Sequence, residues 1–241
     1  MSNFLIIEED EAAGIGFTLF DRQHILWLVI AAVIIALLCV LYIKTNREKR
    51  KIFRRVIGCA IFACEVIKDA QLILAGVYSV YYLPLHLCGL AVFFTFYHSF
   101  CGGDTLGNFL YSTCMPGALF ALLFPDWVAS PPFCLKSLVS FIVHTLIVAY
   151  PLFCTAGKDI KPDYRKLPKC FFILLIIAVP VYAFDRIFRA NFMFLLLPSA
   201  GSPLEWFANI LGIPWYVLGY IPMIIVVWTL LYLPFIKKRP D

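Results

Sequence analysis

Seven apolar runs, each long enough to cross a lipid bilayer, constrain this chain more than any other feature of its sequence. A helix needs about 20 mainly apolar residues to span the hydrocarbon, and hydrophobic residues make up 62% of the 241-residue chain. Because lipid offers the backbone no hydrogen bonds, we predict an all-α fold: one polytopic transmembrane domain over residues 1–241, built as a seven-helix bundle. The runs lie near residues 24–43, 57–77, 80–100, 107–124, 134–153, 169–187 and 213–236.

Lysine and arginine gather in alternate loops between these runs. The segment Lys44–Arg55 holds seven of them, the loop 158–169 holds five and the tail 237–239 holds three, which together are 15 of the 20 basic residues. All three segments fall on the same side of a seven-helix chain. Because basic loops tend to stay in the cytoplasm, we predict a cytoplasmic C-terminus and an external N-terminus, where residues 8–11 are all acidic. The net charge of +5 is then a signal of topology and calls for no nucleic-acid partner.

Nine cysteines are scattered along the chain without a C-x-x-C pair. Such spacing indicates neither a zinc site nor a disulfide framework. Only His86 and His144 lie deep within the apolar runs, and a metal site usually needs three or four protein ligands. We therefore expect no metal and no cofactor.

Three charged residues interrupt the second apolar run. Glu65, Lys68 and Asp69 are spaced i, i+3 and i+4, so they share one helix face and can partly neutralise one another. Ionisable groups at bilayer depth are costly and usually face a bundle interior or an aqueous cavity. The cluster is therefore either a structural ion pair that sets helix packing or part of the lining of a functional cavity.

Other polar residues reach a similar depth in neighbouring runs. At 1.5 Å per residue, Lys68 and Asp69 lie roughly 12–14 Å below the outer end of their run, His86 about 9 Å and His144 about 15 Å. These depths predict one polar pocket in the outer half of the bundle, with His86 and His144 as candidate catalytic residues. The candidate substrate-binding or pocket-lining residues are Glu65, Lys68, Asp69, Arg186, Arg189, Asn191 and Tyr216.

Cys88 follows His86 by two residues and raises the question of a Cys–His pair. Residues i and i+2 of a regular helix project about 200° apart, so the two side chains cannot share a face. Pro84 disturbs only the first turn of the third run. We therefore do not expect Cys88 to be a nucleophile activated by His86.

Several sequence blocks, in order, resemble the YwaF family of bacterial integral membrane proteins. The resemblance covers residues 60–235 and implies six or seven membrane spans in a bacterial plasma membrane. That family is similar to a mammalian transmembrane acyltransferase of ether phospholipids and, more remotely, to androgen-induced-type hydrolases of fatty esters, which use a Thr and a His. The blocks are Leu83–Cys88, 117–119, 121–126, His144, 191–195 and 214–216.

The resemblance can be carried over position by position. The acyltransferase has Pro-Cys-His where this chain has Pro84, Leu85 and His86, so the proposed acyl-accepting cysteine falls on leucine. His86, His144 and Asn191 match, and Glu65 and Lys68 look similar. The resemblance therefore implies a similar polar pocket without the cysteine that would attack.

Three functions are compatible with these features. In a lipid-modifying enzyme, an acyltransferase or ester hydrolase, His86 or His144 would be the general base that activates water or a lipid hydroxyl. Arg186, Arg189 or Lys68 would hold a phosphate or an oxyanion. A proton-coupled transporter would use the charged cluster as a relay, and a non-enzymatic lipid-binding protein would use it for packing. We favour the enzyme, with a membrane lipid or acyl chain as substrate; the sequence indicates no particular oligomeric state.

Overall fold

The computed structural model describes residues 16–236, so the acidic residues 8–11 and the basic residues 237–239 of the topology prediction lie outside the described residues. Every regular element within the described part is a helix, which confirms the all-α prediction. The helices are α1 (Arg22–Lys44), α2 (Arg47–Leu74), α3 (Leu87–Cys101), α4 (Asp104–Phe109), α5 (Met115–Leu123), α6 (Leu135–Ala156), α7 (Leu167–Phe188), α8 (Pro203–Leu211) and α9 (Tyr220–Ile236).

Five helical stretches in the described chain are long and apolar enough to cross a membrane, and the protein is an integral membrane protein. Helices α2 and α3 fill the two other predicted runs, but α2 begins with strongly basic turns and α3 has only 15 residues. The five are Arg22–Lys44, Asp104–Leu123, Leu135–Ala156, Tyr164–Phe188 and Trp215–Phe235.

Helix α6 forms the centre of the bundle. Within its most apolar window 67% of residues are buried, against 11% for α1 and 11% for the stretch that contains α7. Helices α1, α2, α3 and α5 all pack against α6. Helix α7 contacts α4 and the segment between α4 and α5, while α9 is joined to the rest largely through side chains. The looser packing of α7 and α9 leaves space between them and the centre.

The third predicted run is not one continuous helix. A 3₁₀ turn occupies Val80–Tyr82, and α3 begins only at Leu87, with His86 as its N-cap at φ −63° and ψ 151°. The physical reason is Pro84, because the residue before a proline avoids the helical region and Leu83 is accordingly extended, at ψ 143°. His86 therefore lies at a helix start rather than inside a helix.

A buried π-helical segment, Leu110–Cys114, joins α4 to α5. Pro116 follows it and has no N–H, so this turn lacks one helical donor. The indole N–H of Trp228 on α9 donates to the Ser112 carbonyl at 2.9 Å. The Ser112 carbonyl, in the π-helical segment before Pro116, is thus a group through which α9 hydrogen-bonds to the bundle.

Two of the basic loops meet at one end of the bundle. Arg50 donates to the Gly157 carbonyl at 2.8 Å, and Arg50 and Arg54 lie 3.8 and 3.9 Å from the Asp159 carboxylate. The Tyr42 hydroxyl also donates to Asp159, at 2.8 Å. The start of α2 is therefore bonded to the end of α6 and the residues that follow it. We call this end of the bundle the basic end.

Candidate functional site

A cavity of about 650 Å³ lies among α2, α3, α5, α6, α7 and α9. It follows α9 from Tyr220 to Trp228, about 12 Å at 1.5 Å per residue, and α7 from Phe171 to Ala178, about 10 Å. Its volume lies within the range of roughly 300–1,000 Å³ that is usual for ligand sites. The cavity is large enough for a small amphiphile.

The polar and apolar linings of the cavity are separated. Helices α7 and α9 contribute mainly apolar side chains, such as Leu174, Ile224 and Val227. Most polar side chains come from the ends of helices and the loops far from the basic end; Ser112 and Thr113 of the π-helical segment are deeper exceptions, with hydroxyls 3.1 Å apart. The cavity therefore has a polar end and an apolar depth. The polar residues far from the basic end are Glu65, Lys68, His86, Asp126, Lys136, Ser140, His144, Ser199 and Ser202.

The charged cluster of α2 contributes both an ion pair and part of the cavity lining. Lys68 Nζ lies 2.5 Å from Glu65 Oε1 and 3.5 Å from Asp69 Oδ1. Glu65 and Lys68 line the cavity, whereas Asp69 does not. The cluster is therefore both a structural ion pair and part of the cavity lining. One cation lies between two carboxylates, and one side of the group faces the cavity.

His144 lies in α6 with one ring nitrogen engaged and the other open. Its Nδ1 is 2.7 Å from the Ser140 carbonyl, one helical turn earlier, and a carbonyl can only accept. Nδ1 therefore carries the proton and Nε2 has the lone pair in the neutral ring. Nε2 is buried without a hydrogen-bond partner among the described residues, and the ring stacks on Trp127 with centroids 5.0 Å apart. This is the state of a base.

His86 has the opposite hydrogen-bonding state. The backbone N–H of Met193 donates to His86 Nδ1 at 3.2 Å. That bond uses the Nδ1 lone pair, so the proton of the neutral ring is on Nε2. The ring lies between Phe192 and Phe194, with centroid distances of 5.1 and 5.4 Å. In this state His86 presents a donor, and His144 presents an acceptor, to the same cavity.

A tight turn, Phe192–Phe194, holds His86 in place. Its two residues Met193 and Phe194 are both left-handed, with φ of 53°, a conformation that persists in non-glycine residues only where the surroundings impose it. The Tyr220 hydroxyl donates to the Met193 carbonyl and the Tyr216 hydroxyl to the Phe194 carbonyl, each at 2.7 Å.

Asp185 of α7 holds the other side of this turn. The carboxylate is fully buried, and its Oδ1 accepts the Phe192 N–H at 3.0 Å. Oδ2 has no hydrogen-bond partner among the described residues. Asp185 therefore secures the turn that sets the tautomer of His86, a role that its place in the sequence does not reveal.

The remaining predicted pocket residues lie away from the cavity walls. Asn191 folds the loop after α7, accepting the N–H groups of Leu196 and Leu197 at 3.0 Å. Arg186 and Arg189 are exposed, because Asp185 takes the buried face at the end of α7 and Arg189 ends that helix in a left-handed conformation. Tyr216 donates a hydrogen bond to the Phe192–Phe194 turn but does not line the cavity, and Asp69 does not line it either.

Cys88 lines the cavity together with His86. The angular argument that separated them assumed a regular helix, but His86 is the N-cap and does not follow helical geometry. Pro84 was the signal for this break. Leu85 packs in an apolar cluster with Val181 and Phe192. Within residues 16–236 no three His, Cys, Asp or Glu side chains come together as a metal site.

Comparison with known proteins is informative at the level of the family. Neither curated proteins nor solved structures yield a match. The model of the TMEM164 family matches residues 19–232, which cover all nine helices except the last turn of α9. The chain therefore belongs to the TMEM164 family.

Proposed function

We propose that this protein is a lipid-modifying enzyme that acts on acyl esters, as an acyltransferase or an ester hydrolase. The observation that carries the proposal is the pair of histidines with complementary hydrogen-bonding states, His144 as acceptor and His86 as donor, on one amphipathic cavity. The acyl chain would occupy the apolar part lined by α7 and α9. The ester would then lie at the polar end.

His144 is the better candidate for the general base. Its Nε2 takes the proton of a water or lipid hydroxyl while that oxygen bonds to the ester carbonyl carbon. The carbonyl π electrons move onto oxygen, and the Nε2–H of His86 donates to the resulting oxyanion. When the ester C–O bond breaks, the leaving alkoxide takes the proton from the His144 imidazolium. The oxyanion electrons re-form the carbonyl as that bond breaks, so protons and charges balance without an acyl-enzyme intermediate.

Lys68 and Cys88 extend this assignment. Lys68 faces the cavity while paired with Glu65, so it can hold a lipid phosphate while the carboxylate limits the cost of its partly buried charge. The Cys88 thiol is a second candidate for the attacking group, since it shares the cavity with both histidines. Cys88→Ser distinguishes attack by the thiol from attack by water or a lipid hydroxyl, because only the second mechanism survives the substitution.

Acyl turnover on labelled phospholipid in proteoliposomes tests the proposal. His144→Ala should lower turnover by at least about 100-fold, the usual contribution of a general base. His86→Ala should lower it by about 100-fold, as for a lost oxyanion donor, and His86→Gln should retain more activity because it keeps an N–H. Arg186→Ala, exposed and outside the cavity, is the matched control. Full turnover in both alanine variants would refute the enzyme assignment.

Proton-coupled transport is the second candidate function, and the Glu65–Lys68–Asp69 group, with Glu65 buried and the other two partly buried, favours it. In that case a pH gradient across proteoliposomes should change substrate flux, and Lys68→Gln should remove the effect. If flux ignores the gradient and charge-neutral replacement alters only stability, the cluster serves helix packing alone.

We also propose seven membrane spans, with the C-terminus in the cytoplasm, in a bacterial plasma membrane. Support comes from α2 and α3, which occupy the two predicted runs beyond the five longest apolar stretches. The meeting of the loops near Arg50 and Asp159 further supports one basic side.

A further inference from the structure

A second, shallower groove lies near the basic end, where α1 ends and α2 begins. Its volume is about 350 Å³. Its apolar residues recur at three- and four-residue intervals along one face of α2, and Ile52 and Val56 are 62% and 59% exposed. We call it the basic groove; it is lined by Thr45, Lys49, Ile52, Phe53, Val56 and Ile57.

Lys49 is the cation of this groove and is not engaged elsewhere. The neighbouring Arg50 and Arg54 are bound to carbonyls or to Asp159, and the Arg55 guanidinium lies 5.2 Å from the centre of the Phe100 ring. Within residues 16–236 no hydrogen bond or ion pair involves the Lys49 side chain. Arg50, Arg54 and Arg55 are thus each engaged within the protein, whereas Lys49 is left for an external anion.

The groove has the polarity of a phospholipid. Along α2, Ile52 lies about 4.5 Å and Val56 about 10 Å further from the basic end than Lys49. An amphiphile with its phosphate at Lys49 therefore has its acyl chain on the apolar residues, in the direction of the bilayer interior. A zwitterionic headgroup carries its own cation beside the phosphate and gains less from Lys49, whereas an acidic headgroup is attracted to it.

We propose that the basic groove binds an acidic phospholipid, with its headgroup at Lys49 and an acyl chain along Ile52 and Val56. This site is separate from the cavity of His86 and His144 and does not depend on the enzyme assignment. It would anchor the α1–α2 junction to the acidic leaflet.

Native mass spectrometry of the full-length protein tests the proposal, using phosphatidylglycerol and phosphatidylcholine with identical acyl chains. The wild type should retain phosphatidylglycerol preferentially. Lys49→Gln should weaken that retention about fivefold, since one basic residue near an acidic surface contributes about 1 kcal/mol. Lys51→Gln is the matched control: it removes the same charge from the same turn but lies outside the groove. Both positions are exposed, so equal unfolding temperatures verify the fold.

Three outcomes would overturn the proposal. Equal losses in the two variants would mean general electrostatic attraction without a site. Equal retention of the two lipids by the wild type would mean an apolar groove without headgroup recognition. Full displacement of the lipid by glycerol 3-phosphate would mean that a free phosphate, rather than a phospholipid, is the ligand. Retained acyl turnover in Lys49→Gln would leave the proposed enzyme function unaffected.

Discussion

His86 and His144 are the same residue type with opposite roles, and each role comes from a single backbone group. The Ser140 carbonyl makes His144 a donor at Nδ1, and the Met193 N–H makes His86 an acceptor there. One ring can then take a proton from the cavity while the other gives a hydrogen bond to it. Neither assignment is visible in the sequence, where both are simply histidines in apolar runs.

Nitrogen NMR of the protein labelled at histidine should show this difference, and the chain has only four histidines to assign. With both rings neutral, His86 should be protonated at Nε2 and His144 at Nδ1. Tyr220→Phe removes the hydroxyl that holds Met193, so it should cost about 1 kcal/mol of stability and populate the other tautomer of His86. Tyr182→Phe, at an exposed position of α7, should change neither. Identical tautomers in the wild type would contradict the division of roles.

At the scale of the element, the N-terminus of α1 depends on the ionised carboxylate of Asp21. Hydrogen bonds from the His24 and Thr18 backbone N–H groups lower the pKa of Asp21 below its ordinary value. Because its pKa is lower in the folded state, Asp21 stabilises the fold at pH values above its unfolded-state pKa of about 3.9. This contribution is lost as the pH falls through the folded-state pKa.

Thermal unfolding in detergent between pH 6 and pH 3, a range chosen to bracket a carboxyl pKa of about 3.9, should show this effect. The wild type should lose stability relative to Asp21→Asn as the carboxyl becomes protonated, because asparagine still caps the helix and does not titrate. Asp21→Ala should be less stable than both at pH 6. Parallel curves for wild type and Asp21→Asn would show that the carboxylate charge contributes nothing to α1.

The attachment of α9 at the π-helical segment gives a second prediction for an element. Trp228→Phe keeps an aromatic ring but removes the N–H that reaches the Ser112 carbonyl, so it should destabilise the protein by about 1 to 3 kcal/mol. Trp206→Phe removes the same group from an exposed position of α8 and should cost no more than about 0.5 kcal/mol. Equal effects on the unfolding temperature would rule out this bond as the anchor of α9.

At the scale of the whole molecule, the basic end predicts the topology. Fusions of a fluorescent protein or a periplasmic phosphatase after residue 236, expressed in bacteria, report the side of the C-terminus. We expect fluorescence and no phosphatase activity, with the same result for insertions in the 158–166 loop and the opposite result for insertions near 197–202. A phosphatase signal at the C-terminus would exclude the proposed orientation.

The sequence predicted the fold more completely than the site. Glu65, Lys68, His86 and His144 were predicted for the pocket and do line one cavity. Arg186 and Arg189 were placed there from their depth alone, and depth along a helix says nothing about which way a side chain projects. The roles of Asp185 and Tyr220, which shape the site, are not visible in the sequence, because both residues act through backbone groups of the Phe192–Phe194 turn.

The sequence by itself determined the helical class, because a backbone in lipid must satisfy its own hydrogen bonds within each segment. That requirement is local, so hydropathy and length reveal it. The tertiary structure alone decided the break before α3, the tautomers of the two histidines and the place of Cys88 on the cavity wall. These depend on contacts such as Met193 with His86, 107 residues apart in the chain, whose geometry exists only once the helices have packed.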